Sequence, residues 1–314
     1  MVDVITYKLK KFSVIVERLC AQAEIPKYFR YVQKKTFDNY QHLFLLVAKE
    51  HTKHDYRSFI ESLYDSKVPN YIGLKKIPHF TTLQKFAQRL GAKIVDKLIF
   101  LTRHLFDKSG NIFGADSTGM ELDHASAHYC RKINREEPVK GFVNLNVISD
   151  LKHKNILVTK IRKKRRHDCS DFLPMFNKIK HLEFDFFVAD KGYDSNANHK
   201  AVYDSGAKSV IKVRKKMTKC IFRVGQKERK RARRDFDEKI YGQRAITESI
   251  FSSLKRKYGS KLRARKFNTQ KIELLFKILS YNIERAIRSV IVLLIRIGYF
   301  YKAHITDKYI YNFY

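Results

Sequence analysis

The sequence predicts an α/β protein, with helices packed on a mixed sheet and an all-helical region ahead of it. Three observations carry this. Residues 10 to 106 place apolar residues at intervals of three and four, as in FDNYQHLFLLVAKE. From about residue 110 the texture changes to short apolar or alternating runs with brief connections. Those runs then interleave with helix-type segments, in the order three strands, helix, strand, helix, strand and further helices.

Within the N-terminal region, DYRSFIESLYDSKVPNYIGLKKIPHFTTLQKFAQRL (55–90) reads as a helix, a loop marked by Pro69 and Pro78, and a second helix. Thr81 or Thr82 would cap the second helix, which carries Lys85 and Arg89. Helix, turn and basic helix is the pattern of a helix-turn-helix reader, and equally of two helices packed on a core. NIFGADSTGMEL, FVNLNVISDLK and NILVTKIRKK follow as consecutive strands, with a turn near Lys152 to Asn155 between the last two. SDFLPMFNKIKHL reads as a helix with Asp168 or Ser170 near its start. FDFFVAD reads as a buried strand, NHKAVYDSG as a short helix ending at Gly206, and KSVIKVR as another strand. KKMTKCIFRVGQKERKRARRD is basic with little apolar periodicity, and its KERKRARRD run reads as a solvated or phosphate-contacting loop. YGQRAITESIFSSLKRKYG (241–259) then reads as a helix, with Gly242 as a possible start point.

The charge narrows the partner. The 314 residues hold 65 Lys+Arg against 31 Asp+Glu, a formal net charge of +34. Yet 44% of residues are hydrophobic, with 23 Phe and 18 Tyr, which excludes a disordered basic tail. A globular chain this basic repels itself unless its usual partner is anionic, and nucleic acid comes first among such partners. Cys20, Cys130, Cys169 and Cys220 are too scattered for a C-x-x-C zinc site or a disulfide framework, and read as thiols of a reducing compartment. His124 and His128 share a spacing that could present two imidazoles, but no further ligand accompanies them. The N-terminus lacks the apolar core of a signal peptide. The run SVIVLLIRIGYF is too short for a membrane span and carries Arg296, so an intracellular, non-membrane protein is expected.

Three acids stand out against this background. Asp116, in GADSTG, is expected at or near the end of the first strand, and Asp190 ends the strand FDFFVAD. Carboxylates at strand ends face the sheet edge where sites in α/β folds form. Glu248 is the lone acid in the basic helix 241–259. With about 100° per residue, Tyr241, Arg244 and Lys255 fall within about 40° of Glu248 if the helix is unbroken. The simple account of Glu248 is an i,i+4 ion pair with Arg244. The alternative is a cation site built from three carboxylates. That arrangement suits metal-assisted phosphodiester cleavage, in which two Mg²⁺ ions about 4 Å apart clamp an in-line displacement. Arg, Lys and Tyr beside it would hold phosphates and stack on bases. Glu121, Asp123 and Asp194 read as turn formers or supporting partners, and Asp185 as the residue that starts a strand.

Tyr241-x2-Arg244-x3-Glu248-x6-Lys255 resembles the Y-R-E-K signature of prokaryotic insertion-sequence transposases of the DDE class. GADSTG is similar to that family's first aspartate motif and VADKGYDS to its second. RRHDCSDFLPMF and VPNYIGLKKIPHFTTLQKFAQRL resemble further segments, so the likeness covers most of residues 55 to 280. It implies a helical DNA-binding region over 1–106 and a ribonuclease H-like catalytic domain over 107–285, with a helix or tail over 286–314. It implies Asp116, Asp190 and Glu248 as the ligands of two Mg²⁺ or Mn²⁺ ions, with Asp116 bridging both. Tyr241, Arg244 and Lys255 would contact the element-end strand. Water would cleave at the element's end, and the freed 3′-hydroxyl would then attack target DNA. The partners implied are double-stranded DNA, namely terminal inverted repeats and target, and a second copy of the chain to pair two ends. The setting implied is a prokaryotic cytoplasm, at the nucleoid. Two neighbouring readings keep the same residues: an inactive, transposase-derived DNA-binding protein, and a metal-dependent nuclease of the same fold.

Overall fold

Strand β1 (Ile112–Leu122) is the member around which the computed structural model is assembled. The structure describes residues 2–29, 36–122, 141–163, 167–214 and 226–310, with side chains over 8–29 and on to residue 289 within those ranges. His124, His128, Asp123, Cys130, Cys220 and the first part of the basic segment lie outside them; Cys20 and Cys169 are free thiols.

Among the described residues six α-helices precede β1: α1 (Val2–Gln22), α2 (Asn39–Thr52), α3 (Tyr56–Tyr64), α4 (Val68–Tyr71), α5 (Phe80–Arg89) and α6 (Ala92–Leu101). Local chemistry sets their ends. Asp38 accepts from the Gln41 amide at 2.7 Å while the Gln41 side chain accepts from the Asp38 amide at 3.0 Å, a reciprocal cap on α2. Asp55 accepts from the Arg57 and Ser58 amides and starts α3. The helix α5 begins earlier than expected, by two or three residues: its cap is His79, whose ring nitrogen accepts from the Thr81 amide, rather than Thr81 or Thr82.

The sheet follows from β2 (Phe142–Asp150), antiparallel to β1, and β3 (Asn155–Arg162), antiparallel to β2. After α7 (Cys169–Phe176), β4 (Phe186–Ala189) returns parallel to β1. After α8 (Asn196–Asp204), β5 (Lys208–Ile211) pairs parallel with β4. The order is β3-β2-β1-β4-β5, a mixed sheet flanked by helices as expected. Three more helices, α9 (Lys227–Arg234), α10 (Glu238–Gly242) and α11 (Ala245–Tyr258), lead to β6 (Lys261–Leu262), which pairs parallel with the far end of β1. One helix, α12 (Phe267–Ile310), ends the described chain. Among the described residues no helix is long and apolar enough to cross a membrane.

Alternation along β1 divides the core in two. Phe113 and Ala115 point into a cluster with Phe172, Phe176, Phe187 and Tyr193 beneath α7 and α8. Met120, Val147 and Val188 join the larger cluster, which the sheet shares with α1, α2, α5, α6, α11 and α12. Asn282 of α12 stitches that face to β3. Its amide accepts from the Ile156 N–H at 3.1 Å and donates to the Ile156 carbonyl at 2.7 Å, acting as an extra strand partner.

Two segments differ from expectation for identifiable reasons. The run KERKRARRD is not a loop; it forms α9, held by charge rather than an apolar stripe. Arg229 makes a two-pronged pair with buried Asp194 at 2.8 and 2.5 Å, Arg231 stacks on Tyr203 at 4.0 Å, and only Ala232 is buried. The stretch 241–258 is not one helix. Bonds from the Arg244, Ile246 and Thr247 amides to carbonyls three residues back tighten the chain there, separating α10 from α11.

A second charge cluster joins α1, α11 and α12. Buried Glu284 accepts from Lys8, Lys257, Arg288 and, at 2.8 Å, the Tyr258 hydroxyl. Burial, with Lys8 and Arg288 alongside, pulls the Lys257 ammonium down to about 7. Two outcomes follow. Asn282→Ala leaves both backbone groups of Ile156 without this partner and should cost about 1–3 kcal/mol in urea unfolding. The Lys257 penalty is full below pH 7 and fades as pH rises toward the amine's unfolded value. Wild-type stability should therefore gain between about pH 7 and pH 9. Lys257→Met should flatten that gain, read as urea midpoints across the same range.

Candidate active site

The pairing of β1 with β4 sets two of the three acids side by side. The last parallel pair is Ala115 with Ala189, so Asp116 and Asp190 are each the next residue on adjacent strands. Alternation turns both toward the face covered by α10 and α11. Asp190 stands at its strand's end as expected, whereas Asp116 lies inside β1, which continues six residues further along β2. The glycine before Asp116 matters sterically. A Cβ on Gly114 would lie 3.0 Å from both the Leu151 and Thr247 side chains, so its absence lets α11 approach β1 closely.

Helix α11 brings the third acid. Arg244, at its N-terminus, is bonded to Glu248 at 2.7 Å and reaches Asp116 at 3.6 Å. The simple i,i+4 ion pair is thus real, and the same guanidinium spans to the strand acid. Thr247, which sequence reasoning did not single out, donates to Asp116 at 3.1 Å and is fully buried. The Ser117 amide donates to the other Asp116 oxygen at 2.8 Å. Burial raises the Asp116 carboxyl above its usual range, and the charge of Glu248 adds to this. The Ser117, Thr247 and Arg244 donors work the other way. Burial also works against the Arg244 cation, but Asp116 and Glu248 hold its pKa up.

Tyr241 does not share the α11 face, because the tight turn breaks the helix between them. It arrives at the site by another route. Its ring packs on Phe236 at 5.2 Å and lies under Lys212 at 5.1 Å, and its hydroxyl is close enough to Asp190 and Arg244 to feel both charges. Burial first, then the Asp190 charge, raises its pKa. Lys255 donates to Thr118 at 2.7 Å, two residues along β1 from Asp116. Arg244 thus joins Asp116 to Glu248, Lys255 is tied to the same strand, and Asp190, with Tyr241 of α10 near it, follows the strand next to β1. Asp194 belongs to a separate buried network, with Arg229, His199 at 3.2 Å and the Arg214 amide at 2.9 Å.

The donor chemistry suits a hard divalent cation, since carboxylate oxygens are the ligands Mg²⁺ prefers. Among the described residues, however, no three His, Cys, Asp or Glu converge tightly enough to hold a metal. The Arg244 guanidinium is what lies between Asp116 and Glu248. Loading of these acids by a cation thus requires Arg244 to release them.

The family profile described as "Transposase DDE domain" matches residues 108–283, from just before β1 into α12, and the chain belongs to that family. No curated protein matches significantly. Among solved structures, a piggyBac transposase synaptic complex with hairpin DNA aligns over 90% of this chain and 73% of that one. Its identity is 14% and its TM-score 0.41, a likeness too distant to bear on residue roles.

Arg244→Ala should free Asp116 and Glu248 from their internal counter-ion. In the absence of DNA, Mn²⁺ affinity measured by calorimetry should rise roughly two- to tenfold over wild type, in keeping with a partly exposed ion pair.

Proposed function

We propose that the chain is a DNA transposase of the Y-R-E-K type, acting on the ends of a prokaryotic insertion sequence. Asp116, Asp190 and Glu248 would hold the divalent ions, Mg²⁺ or Mn²⁺, two to a site, once Arg244 releases Asp116 and Glu248. The observation that carries this reading is the side-by-side placement of Asp116 and Asp190, with Arg244 joining Asp116 to Glu248.

When bound, the ions would polarise the scissile phosphate and lower the pKa of a nucleophilic water. The chain's own groups do the positioning. Arg244 exchanges carboxylate for phosphate, which suits its planar fork of donors. Lys255 supplies a point charge next to β1, and Tyr241 presents a ring and a hydroxyl at Asp190. The buried Thr247 keeps Asp116 oriented through the exchange. Hydrolysis at the element's end frees a 3′-hydroxyl, and attack of that hydroxyl on target DNA completes transfer. Double-stranded DNA is the partner, both as terminal inverted repeats and as target, and pairing of two ends calls for a homodimer on DNA. The formal charge of +34 supports such a partner. The N-terminal helices α1–α6, with the exposed Lys85 and Arg89 of α5, supply a further DNA-reading surface.

A nicking assay tests the assignment. The substrate is duplex DNA carrying the regions that flank the coding sequence on both sides, with Mg²⁺ or Mn²⁺ added. Asp116→Asn, Asp190→Asn and Glu248→Gln should each lower nicking at least about 100-fold while duplex binding persists. Metal-dependent cleavage that survives Asp116→Asn would sink the site. Cleavage with no preference for the flanking regions would favour a nuclease. Duplex binding without cleavage by the wild type would favour an inactive derivative.

A further inference from the structure

Beyond the acids, β1 runs on to Glu121 and Leu122, where it meets β6 at Lys261 and Leu262. Two adjoining clefts open there, of about 510 and 400 Å³, sharing Lys49, Arg263 and Glu273. One wall comes from the N-terminal helices, through the end of α2, the start of α3 and α5. The other comes from residues 259–266 and the first turns of α12. Together they make a groove between the helical region and the sheet, separate from the Asp116 site and on the same strand.

The acids of this groove are already engaged. Asp55 caps α3, Glu50 pairs with Lys49 at 2.6 Å, and Glu273 accepts from the Arg263 and Ala264 amides at 3.0 and 2.9 Å. Five of its cations have no acidic partner among the described residues; Lys53 touches only the Arg256 carbonyl, at 3.4 Å, and Arg57 lies over the Phe80 ring. Lys53, Arg57, Arg263, Arg265 and Lys266 are all exposed, and none forms an ion pair among the described residues. Five exposed positive groups without an acidic partner thus line the two walls of an open channel, while its acids are held by backbone amides or by Lys49 and Lys277. A small anion would need a closed pocket of converging donors. A spread of cations on two walls fits a repeating polyanion.

The spacing along β1 suggests where that polyanion runs. Asp116 and Glu121 are five residues apart, or about 17 Å at the rise of a strand. At 3.4 Å per phosphate along one strand, this is about five nucleotides, near half a turn of B-DNA. Lys255, bonded to Thr118, lies between the two points. We infer that the groove between the N-terminal helices and residues 259–266 seats the backbone of duplex DNA about half a turn from the scissile phosphate. The inference rests on the transposase reading for which DNA is bound, and extends it to a surface outside the acid site.

Salt-dependent binding of a 40-base-pair duplex, on an Asp116→Asn background, is the test. Arg263→Ala, Arg265→Ala and Lys266→Ala combined should weaken binding at least about tenfold near 150 mM salt. The slope of log affinity against log salt should fall by about 2–3. Lys53→Ala with Arg57→Ala, on the opposite wall, should lower it by about 1–2. A control triple variant, Lys178→Ala, Lys180→Ala and Lys200→Ala, removes equal charge beyond the opposite face of the sheet and should leave the slope within one unit. Methylphosphonates placed about five nucleotides from the cleavage site should weaken wild-type binding and leave the groove triple variant unaffected. Equal losses in groove and control variants, or no loss in the groove variants, would overturn the inference. Wild-type nicking is scored separately. Absent nicking with a lowered groove slope would refute the catalytic reading and leave the groove in place.

Discussion

The register between β1 and β4 governs the arrangement. Parallel strands place equivalent residues level with one another, so the step beyond Ala115 and Ala189 fixes Asp116 and Asp190 as neighbours without any bond between them. Everything else at the site is fitted to that pair. Gly114 lets α11 lie close, Thr247 meets Asp116 from that helix, and Arg244 carries the contact on to Glu248. A one-residue slip of β4 would turn Asp190 to the opposite face and leave Asp116 with only its helix partners.

The parts legible in the sequence are those that periodicity or chain order encodes. Alternation in FVNLNVISD and the apolar run FFVA gave strands, and the acids that follow or interrupt such runs could be placed from pattern alone. What escaped depended on contacts distant in sequence or on competing turns. Helix α9 has no apolar stripe to read, because Asp194, 35 residues before Arg229, and Tyr203, well before Arg231, hold it. The role of Thr247 follows from its position one turn after Arg244, which no motif records. Tyr241 shares the face of Glu248 only in an unbroken helix, and the three-residue bonds that follow Gly242 break it, leaving Tyr241 on α10 near Asp190. Asp116 lies in mid-strand because β2 pairs with β1 well past the point where β4 ends.

The few acids of this basic chain serve as internal struts. Asp171 takes both Arg162 and Asn146, Asp194 takes Arg229, His199 and the Arg214 amide, and Glu284 gathers Lys8, Lys257 and Arg288. Each joins at least two separate elements. Spending carboxylates in the interior leaves the cationic excess on the outside. There self-repulsion opposes folding until an anionic partner relieves it. Fold and partner are coupled through this imbalance rather than through one contact.

The Asn282 bridge to Ile156 has a consequence for shortened copies of the chain. β3 is the outer strand of the sheet, and a bare outer strand is a template for strand addition by another molecule. A copy ending before residue 282 would keep the acids and most of the strands but lose the side chain that occupies this edge. Self-association through the uncovered β3 edge is the expected outcome for such a copy. The last helix thus guards the sheet's edge as well as completing the core.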